Sequence, residues 1–227
     1  MERDEMKMRP HIRFCHRSLT VVISILLLSS VVETTRATSL KMAQQKETTS
    51  SADVNRAAAA RVLAEADNLL KQGTDQSQRQ AIAKYEQALP LLRATGDARG
   101  EAIALRDIGT TYHQLGETQK ALNYYNQALP LLRAVKDRSE EALTLRYIGL
   151  VYSLSDYQKA LDDYNQALAI YRTLKDRSHE ASTLNSIGGV YSKLGNNQKA
   201  LDDYNQALAI YRAVKERLPS SARRLPP

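Results

Sequence analysis

The sequence is poor in the residues that build disulfide frameworks, cysteine metal sites and bulky aromatic cores. Its 227 residues include no tryptophan, one phenylalanine and one cysteine, Cys15. A single cysteine excludes a disulfide network and a cysteine-based metal site within one chain. Because twelve of the thirteen aromatic residues are tyrosine, the core must consist of Leu, Ile, Val, Ala and Tyr, which suits thin layers of helices.

Recognisable catalytic motifs are also missing. After position 53 the only histidines are His113 and His179, which lie far apart in the chain. The sequence has no zinc-protease HExxH, no Walker-type phosphate loop, no GxGxxG after a strand and no nucleophile elbow. Cys15 and His16 adjoin an apolar N-terminal segment that offers no scaffold for a catalytic dyad. We therefore predict a protein that is not an enzyme and that has no cofactor or metal site.

The positive charge is spread in a way that argues against nucleic-acid binding. The net charge is +7, but residues 1–52 contribute +3 and residues 218–227 contribute +2. Residues 53–217 hold 22 basic and 20 acidic residues and so carry only +2. A nucleic-acid-binding domain is expected to carry a basic stripe on its folded part. The sequence predicts no nucleic-acid partner.

The N-terminal segment has the order of a secretory signal: a basic stretch at 9–17, then uncharged Leu19–Val32, then small residues near Ala37. These 14 uncharged residues would span about 21 Å as a helix, less than the roughly 30 Å of bilayer hydrocarbon. We expect residues 1–37 to be a signal peptide or membrane anchor. As a signal peptide, this segment would direct export to the periplasm or the extracellular space. As an anchor, it would attach the protein to a membrane through residues 18–35.

Internal repetition dominates the rest of the chain. The fifteen letters of Gln158–Arg172 recur unchanged at Gln198–Arg212, and looser copies occupy Gln119–Arg133 and Ala81–Arg93. A spacing of 39 or 40 residues is typical of stacked units that cannot bury their apolar faces alone. The pattern divides the chain into five segments: 1–37 as above, 38–52 as a flexible linker, 53–96 as a degenerate first helical repeat, 97–217 as three repeats, and 218–227 as a disordered tail.

Each unit reads as helix, tight turn, helix. In the second unit Leu105, Ile108, Gly109 and Tyr112 share one helical face, and Ala121 begins the matching face of the second helix. Glycine within a helix costs about 1 kcal/mol relative to alanine. Its recurrence at equivalent positions, Gly109, Gly149 and Gly188, predicts a close helix–helix approach covered by a tyrosine ring.

These letters resemble the tetratricopeptide repeat family, in a 40-residue subtype like that of kinesin light chains and of bacterial proteins that carry caspase-like CHAT peptidase domains. The resemblance implies an all-α, right-handed superhelical solenoid of antiparallel helix pairs. It also implies that the first helices of the units line a concave groove that receives a peptide or partner protein.

We expect the groove to be lined by four positions from each of three first helices. These are Ile103, Arg106, Thr110 and His113, then Leu143, Arg146, Leu150 and Ser153, then Ser182, Asn185, Gly189 and Ser192. Arg106 and Arg146 could grip a carboxylate through paired hydrogen bonds. The alternative is that they pair with Asp107 or Glu141 as ordinary surface ion pairs.

Three functions remain open at this stage. The first is a non-enzymatic interaction scaffold that binds a protein or peptide in the groove. The second is the recognition arm, or a truncated remnant, of a larger CHAT-type signalling peptidase. The third is a self-associating structural protein, because no further regular helix is expected after Arg217 to cover the face of residues 198–217.

Overall fold

The computed structural model describes Arg36, Ser39, Lys41, Met42 and residues 51–217. The apolar segment Leu19–Val32, the whole predicted attachment segment 18–35 and the tail 218–227 lie outside the described residues. Within the described part, no helix is long and apolar enough to cross a membrane. The chain divides into two units, residues 1–53 and residues 54–227.

In the first unit, the described residues Arg36, Ser39, Lys41, Met42 and 51–53 are all helical. The flexible linker predicted over 38–52 stays a prediction, since most of its residues lie outside the described part of the chain.

Among the described residues, the second unit consists of eight helices and no strands. The first helix, α1, covers residues 51–70, of which residues 54–70 belong to the second unit. The others are α2 (Asp75–Ala94), α3 (Ala98–Gln114), α4 (Thr118–Ala134), α5 (Arg138–Tyr152), α6 (Tyr157–Leu174), α7 (Arg177–Lys193) and α8 (Asn197–Arg217). The pairs α3/α4, α5/α6 and α7/α8 form antiparallel hairpins, and each hairpin packs on the next, as predicted for an all-α solenoid.

Aspartates cap the N-termini of α3, α5, α6 and α7. The carboxylates of Asp97, Asp137 and Asp176 accept hydrogen bonds from the backbone N–H three residues later, at 2.8, 3.2 and 3.1 Å. Asp156 does the same for α6, at 3.1 Å. Each bond satisfies a backbone donor that a helix N-terminus would otherwise leave open.

The turns inside the hairpins depend on glycine in two units and not in the third. Gly116 and Gly195 have φ of 75° and 74°, which lets the following N–H donate to the carbonyl five residues back. The middle unit has Ser155 in this place and lacks one residue. There Asp156 N–H donates to Tyr152, only four residues back, at 2.7 Å. The turn of the middle unit is therefore tighter than the other two.

The recurring helical glycines mark points where two helices nearly touch. A Cβ added at Gly109 would lie 2.7 Å from the Tyr125 ring, and one at Gly149 would lie 2.8 Å from the Tyr164 ring. Both rings are almost completely buried, at 0% and 1% exposure. The predicted close approach under a tyrosine is confirmed.

Buried ion pairs join consecutive hairpins. Glu141, in the first turn of α5, is 3% exposed and accepts from Arg133 of α4 at 2.9 Å and from Arg138. Glu180 repeats the arrangement with Arg172, at 3.2 Å, and Arg177. Two cations per buried carboxylate offset its desolvation. Glu141, one predicted partner of the groove arginines, therefore has a structural role between hairpins instead.

Candidate partner-binding groove

The predicted groove residues lie on α3, α5 and α7, and these first helices form one continuous row. The guanidinium of Arg106 on α3 reaches Glu140 on α5. The ammonium of Lys193 on α7 donates to the backbone carbonyl of Ser153, the residue that follows α5, at 3.1 Å. The row therefore carries side chains from three successive repeats.

Arg106 is fully occupied by its own chain. Its Nη2 and Nε donate to Asp107 at 2.7 and 3.1 Å, and its Nη1 donates to Glu140 of the next repeat. The side chain is only 12% exposed. Burial raises the pKa of Asp107, and the Arg106 guanidinium opposes that rise. Arg106 therefore forms ion pairs within the chain and is not free to grip a partner's carboxylate. Asp107 is one of its partners, as predicted, and the other is Glu140, not Glu141.

Arg146 occupies the same place in the next repeat but has different neighbours. Its guanidinium lies over the ring of Tyr147, 5.2 Å from the centroid, and it forms no ion pair within the described residues. Its buried Nε has no hydrogen-bond partner in the structure. The cause is visible in the sequence, because Tyr147 and His179 stand where Asp107 and Glu140 stand around Arg106.

A second unpartnered polar atom belongs to Tyr171, on α6. Tyr171 is 1% exposed, and its hydroxyl makes no hydrogen bond in the structure. Burial raises the pKa of Tyr171 to about 12, and the nearby Arg146 guanidinium opposes that rise. Its ring stacks on His179, at 5.0 Å between centroids, and the Nδ1 of His179 contacts Asp176 at 2.7 Å. The Arg146 guanidinium and the Tyr171 hydroxyl thus lie close enough to interact, and the Nε of Arg146 has no hydrogen-bond partner in the structure.

The other positions on α3 are partly covered. Ile103, Thr110 and His113 are half-buried. The Thr110 hydroxyl donates to the Arg106 carbonyl at 3.0 Å and accepts from the Tyr125 hydroxyl at 3.2 Å. Burial lowers the pKa of His113, and its Nδ1 is buried with no partner in the structure. A neutral His113 is consistent with this setting.

On α5, two leucines flank Arg146. Leu143 is half-buried and Leu150 is 37% exposed. Ser153 is only 7% exposed, and its hydroxyl donates to the Leu150 carbonyl at 2.8 Å. Ser153 thus helps to end α5 and offers little surface to a partner.

The α7 positions are small and polar. Asn185 and Ser192 are exposed, while Ser182 and Gly189 are half-buried. A Cβ added at Gly189 would meet only the Tyr204 hydroxyl, at 3.7 Å. This end of the row is therefore the most open.

The helices α4, α5 and α6 form an open pocket of about 310 Å³ lined by Asn126, Leu129, Ile148, Tyr152, Lys159, Asp162 and Asp163. Burial and the neighbouring Asp162 raise the pKa of Asp163 to about 6. Within the part of the chain that the structure describes, no group of three or more metal-ligating side chains is found.

The sequence analysis missed the residues that distinguish the two arginines. Glu140, Tyr147, Tyr171 and His179 were not among the predicted site residues. An alignment of the repeats with one another would have shown that Tyr147 occupies in one repeat the position that Asp107 occupies in the repeat before it. No sequence pattern predicts that Tyr171 lies near Arg146, because the two residues are on different helices, α6 and α5, and only folding brings them together.

Comparison with known proteins places this architecture in a family. The family model described as tetratricopeptide repeat matches residues 74–134 and 140–213, together more than half of the chain. A search of the curated proteins finds no match.

Three solved structures are similar in fold. BtubC (BKLC) from P. vanneervenii is 24% identical, with a TM-score of 0.56, over 66% of this chain and 63% of that one. Aspartyl phosphate phosphatase F from Bacillus subtilis is 17% identical, with a TM-score of 0.64, over 70% and 41%. A Rap protein complexed with competence and sporulation factor is 21% identical, with a TM-score of 0.55, over 60% and 38%. This chain spans less than two thirds of each of these proteins. With the repeats, the packed hairpins and the family match in agreement, this chain belongs to the tetratricopeptide repeat family.

Proposed function

We propose that this protein is a non-enzymatic interaction scaffold that binds a peptide or protein segment along the row of first helices. The proposal places a carboxylate of the partner against Arg146. The observation that carries it is the contrast between two equivalent arginines: Arg106 is held by two carboxylates, whereas Arg146 has none among the described residues.

The physical argument rests on unmet hydrogen bonds. A buried donor without a partner costs about 1–3 kcal/mol, and more when it is charged. An arginine and a carboxylate form two parallel, charge-assisted hydrogen bonds, roughly twice as strong as neutral ones. A carboxylate from outside the chain would therefore recover at Arg146 what Asp107 and Glu140 provide at Arg106.

The surroundings of Arg146 suggest what flanks that carboxylate. Leu143, Leu150 and the Tyr147 ring offer apolar surface on α5. Asn185 and Ser182 of α7 offer hydrogen bonds beside them. We therefore favour a segment with one acidic side chain, or a C-terminal carboxylate, next to an apolar residue. The fold agrees with such a role, since a Rap protein of similar architecture was crystallised with competence and sporulation factor.

The test uses fluorescently labelled peptides of Leu and Ala, each with a single Glu at a scanned position, and matched peptides with Gln in its place. We expect the protein to prefer the Glu peptides. Arg146→Ala should weaken that binding by about tenfold or more, which corresponds to about 1.4 kcal/mol. Arg146→Lys should recover it only in part, since lysine keeps the charge but not the paired geometry.

Arg61→Ala is the matched control, because it removes the same charge from a side chain that is 77% exposed on α1. It should leave binding unchanged. Absence of any preference for Glu peptides would contradict the proposal, and so would a preference that survives in Arg146→Ala.

We also propose that the protein is exported, or held at a membrane, by its N-terminal apolar segment. The support is the order of basic, apolar and small residues in 1–37. Expression with a C-terminal tag, cell fractionation and N-terminal sequencing test this. An intact N-terminus in the soluble cytoplasmic fraction would contradict it.

A further inference from the structure

The open pocket formed by α4, α5 and α6 has an equivalent one repeat earlier in the chain, and there a tyrosine ring fills it. In the earlier repeat the Tyr124 ring stacks on the Tyr112 ring, with 5.5 Å between their centroids. The Tyr124 hydroxyl donates to Glu86 at 2.7 Å. The ring of Tyr124 on α4 thus occupies the space between Tyr112 on α3 and Glu86 on α2.

One repeat later the ring is missing. The equivalents of these three residues, in the same order, are Asp163, Tyr152 and Asn126. All three line the pocket of about 310 Å³. Because aspartate has no ring, the space between Tyr152 and Asn126 stays open. The pocket therefore lies where the preceding repeat has a planar side chain of its own.

The Tyr152 ring has lost one of the two groups that contact its counterpart. The Lys159 ammonium lies over it, 5.2 Å from the centroid, as Lys120 lies over Tyr112 at 5.1 Å. The stacked ring of the earlier repeat has no counterpart at Tyr152. A guanidinium can take that place, because it is planar and stacks on aromatic faces. Apolar side chains in the lining would cover the alkyl stem of such a group. They are Leu129 and Ile148.

The Asp163 carboxylate lacks a compensating charge. It is half-buried and makes no hydrogen bond or ion pair within the described residues. Neighbouring cations are already paired, Arg133 with Glu141 at 2.9 Å and Lys159 with Asp156 at 3.0 Å. Burial is the main reason that the pKa of Asp163 is raised. A cation from outside the chain would remove this penalty.

We propose that this pocket binds an arginine side chain of a partner protein. The guanidinium stacks on the Tyr152 ring, as the Tyr124 ring stacks on its neighbour one repeat earlier. It also pairs with the Asp163 carboxylate through two charge-assisted hydrogen bonds. A tyrosine of the partner would leave Asp163 uncompensated. A lysine would bring the charge without a plane to stack.

The last hairpin carries the same lining a second time. All seven residue types recur at the equivalent positions, which are Asn165, Leu168, Ile187, Tyr191, Lys199, Asp202 and Asp203. Burial raises the pKa of Asp203 as well, but two cations, Arg172 and Lys199, oppose that rise. At Asp163 only Arg133 does so. We therefore expect a second arginine to bind there more weakly, one repeat away from the first.

Nuclear magnetic resonance of the full-length protein tests the proposal, with N-acetyl-argininamide as the probe. N-acetyl-citrullinamide is the matched neutral compound, because it has nearly the same shape without the charge. We expect the arginine compound to shift the amide signals of the residues that line the pocket. Its dissociation constant there should be at least about tenfold lower than that of the citrulline compound, as for a charged hydrogen-bonded pair.

Two substitutions at one position separate binding from folding. Asp163→Asn should abolish the preference for arginine at this pocket, while unfolding in urea at pH 7 shows no loss of stability. Asp163→Tyr should exclude both compounds, because it supplies the ring that Tyr124 supplies one repeat earlier. Asp75→Asn is the control, since it removes the same charge from an exposed side chain in the first turn of α2. It should change nothing.

Several results would overturn the proposal. These are equal affinity for the arginine and citrulline compounds, no binding of either, and a preference for arginine that survives in Asp163→Asn. Tighter binding of N-acetyl-tyrosinamide or N-acetyl-lysinamide would overturn it too, by assigning the pocket to a different side chain. Arg146→Ala should leave the binding of N-acetyl-argininamide unchanged, because Arg146 does not line this pocket. The result is therefore independent of peptide binding along the first helices.

Discussion

The helical glycines offer the sharpest test of the packing, because three equivalent positions differ in what surrounds them. Replacing Gly109 by alanine would bring a Cβ to 2.7 Å from the Tyr125 ring and 3.1 Å from the Ala121 carbonyl oxygen. The Tyr125 ring is 0% exposed, and its hydroxyl is bonded to Thr110, so it cannot swing aside. The two helices must therefore separate to admit one methyl group.

Two opposing effects set the size of the change. Overpacking a tight core costs about 1–3 kcal/mol. Alanine within a helix is better than glycine by about 1 kcal/mol. Because the contact at Gly109 is far below van der Waals distance, we expect the larger overpacking cost and a net loss of about 1–2 kcal/mol in the free energy of unfolding. Gly149→Ala should behave alike, since Tyr164 is also buried.

Gly188 and Gly189 are matched controls in the last hairpin. Gly188→Ala meets the Tyr204 ring at 2.9 Å and the Ala200 carbonyl oxygen at 3.1 Å; Tyr204 is 36% exposed and its ring can move outward, whereas the backbone oxygen cannot. We expect a smaller loss there than at Gly109. Gly189→Ala meets nothing closer than 3.7 Å, so the helix preference should dominate and stabilise the protein by up to about 1 kcal/mol.

Urea unfolding followed by far-UV circular dichroism, together with thermal melts, would measure the series. For a protein of this size 1 kcal/mol corresponds to a melting-temperature shift of about 2–4 °C. The reasoning is refuted if Gly109→Ala is as stable as wild type, or if Gly188→Ala and Gly109→Ala lose the same stability. A gain in stability for Gly189→Ala would show that the unfolding signal includes the last hairpin.

Five further substitutions test the turns and the buried charges. Lys136→Gly and Lys175→Gly should each stabilise the protein by about 0.5–1 kcal/mol in urea unfolding, since both lysines adopt φ of 58°. Folding raises the pKa of Asp163 to about 6, so the wild type loses stability as the pH rises from about 4 to 6 and this carboxyl becomes charged. Asp163→Asn should therefore raise the free energy of unfolding at pH 7 but not at pH 3.5, as measured by urea unfolding at the two pH values. Glu141→Ala should cost about 2 kcal/mol in thermal melts, and Glu101→Ala less, because Glu101 has one arginine partner and is more exposed.

The sequence was sufficient for the hairpins because each unit repeats the same local signals. The aspartate caps and the glycines at 109, 149 and 188 fall where the letters place them. The αL conformations of Lys136 and Lys175 were not predicted, since lysine carries no preference for positive φ. Their position is imposed by the docking of the next hairpin, which fixes the direction in which the chain leaves α4 and α6.

The difference between the two groove arginines was not predicted, for an electrostatic reason. Arg106 and Arg146 look equivalent in the sequence, and both were expected to grip a carboxylate or to pair with Asp107 or Glu141. In the fold, the state of each arginine depends on a residue of the neighbouring repeat, Glu140 for Arg106 and His179 in the equivalent place for Arg146. The sequence pattern of a single repeat cannot predict a side-chain contact that forms between two neighbouring repeats.

The amino-acid sequence by itself determined the helical period, the repeat length, the turns and the tyrosine-covered glycines, because these depend on interactions within about forty residues. Only the tertiary structure decided which identical residues are buried and which are open. Gln158–Arg172 and Gln198–Arg212 have the same letters and the same helix, yet one face is covered and the other is not. Whether a face is buried depends on what packs against it. On α6 this face is covered by α7, whereas the same face of α8 remains exposed.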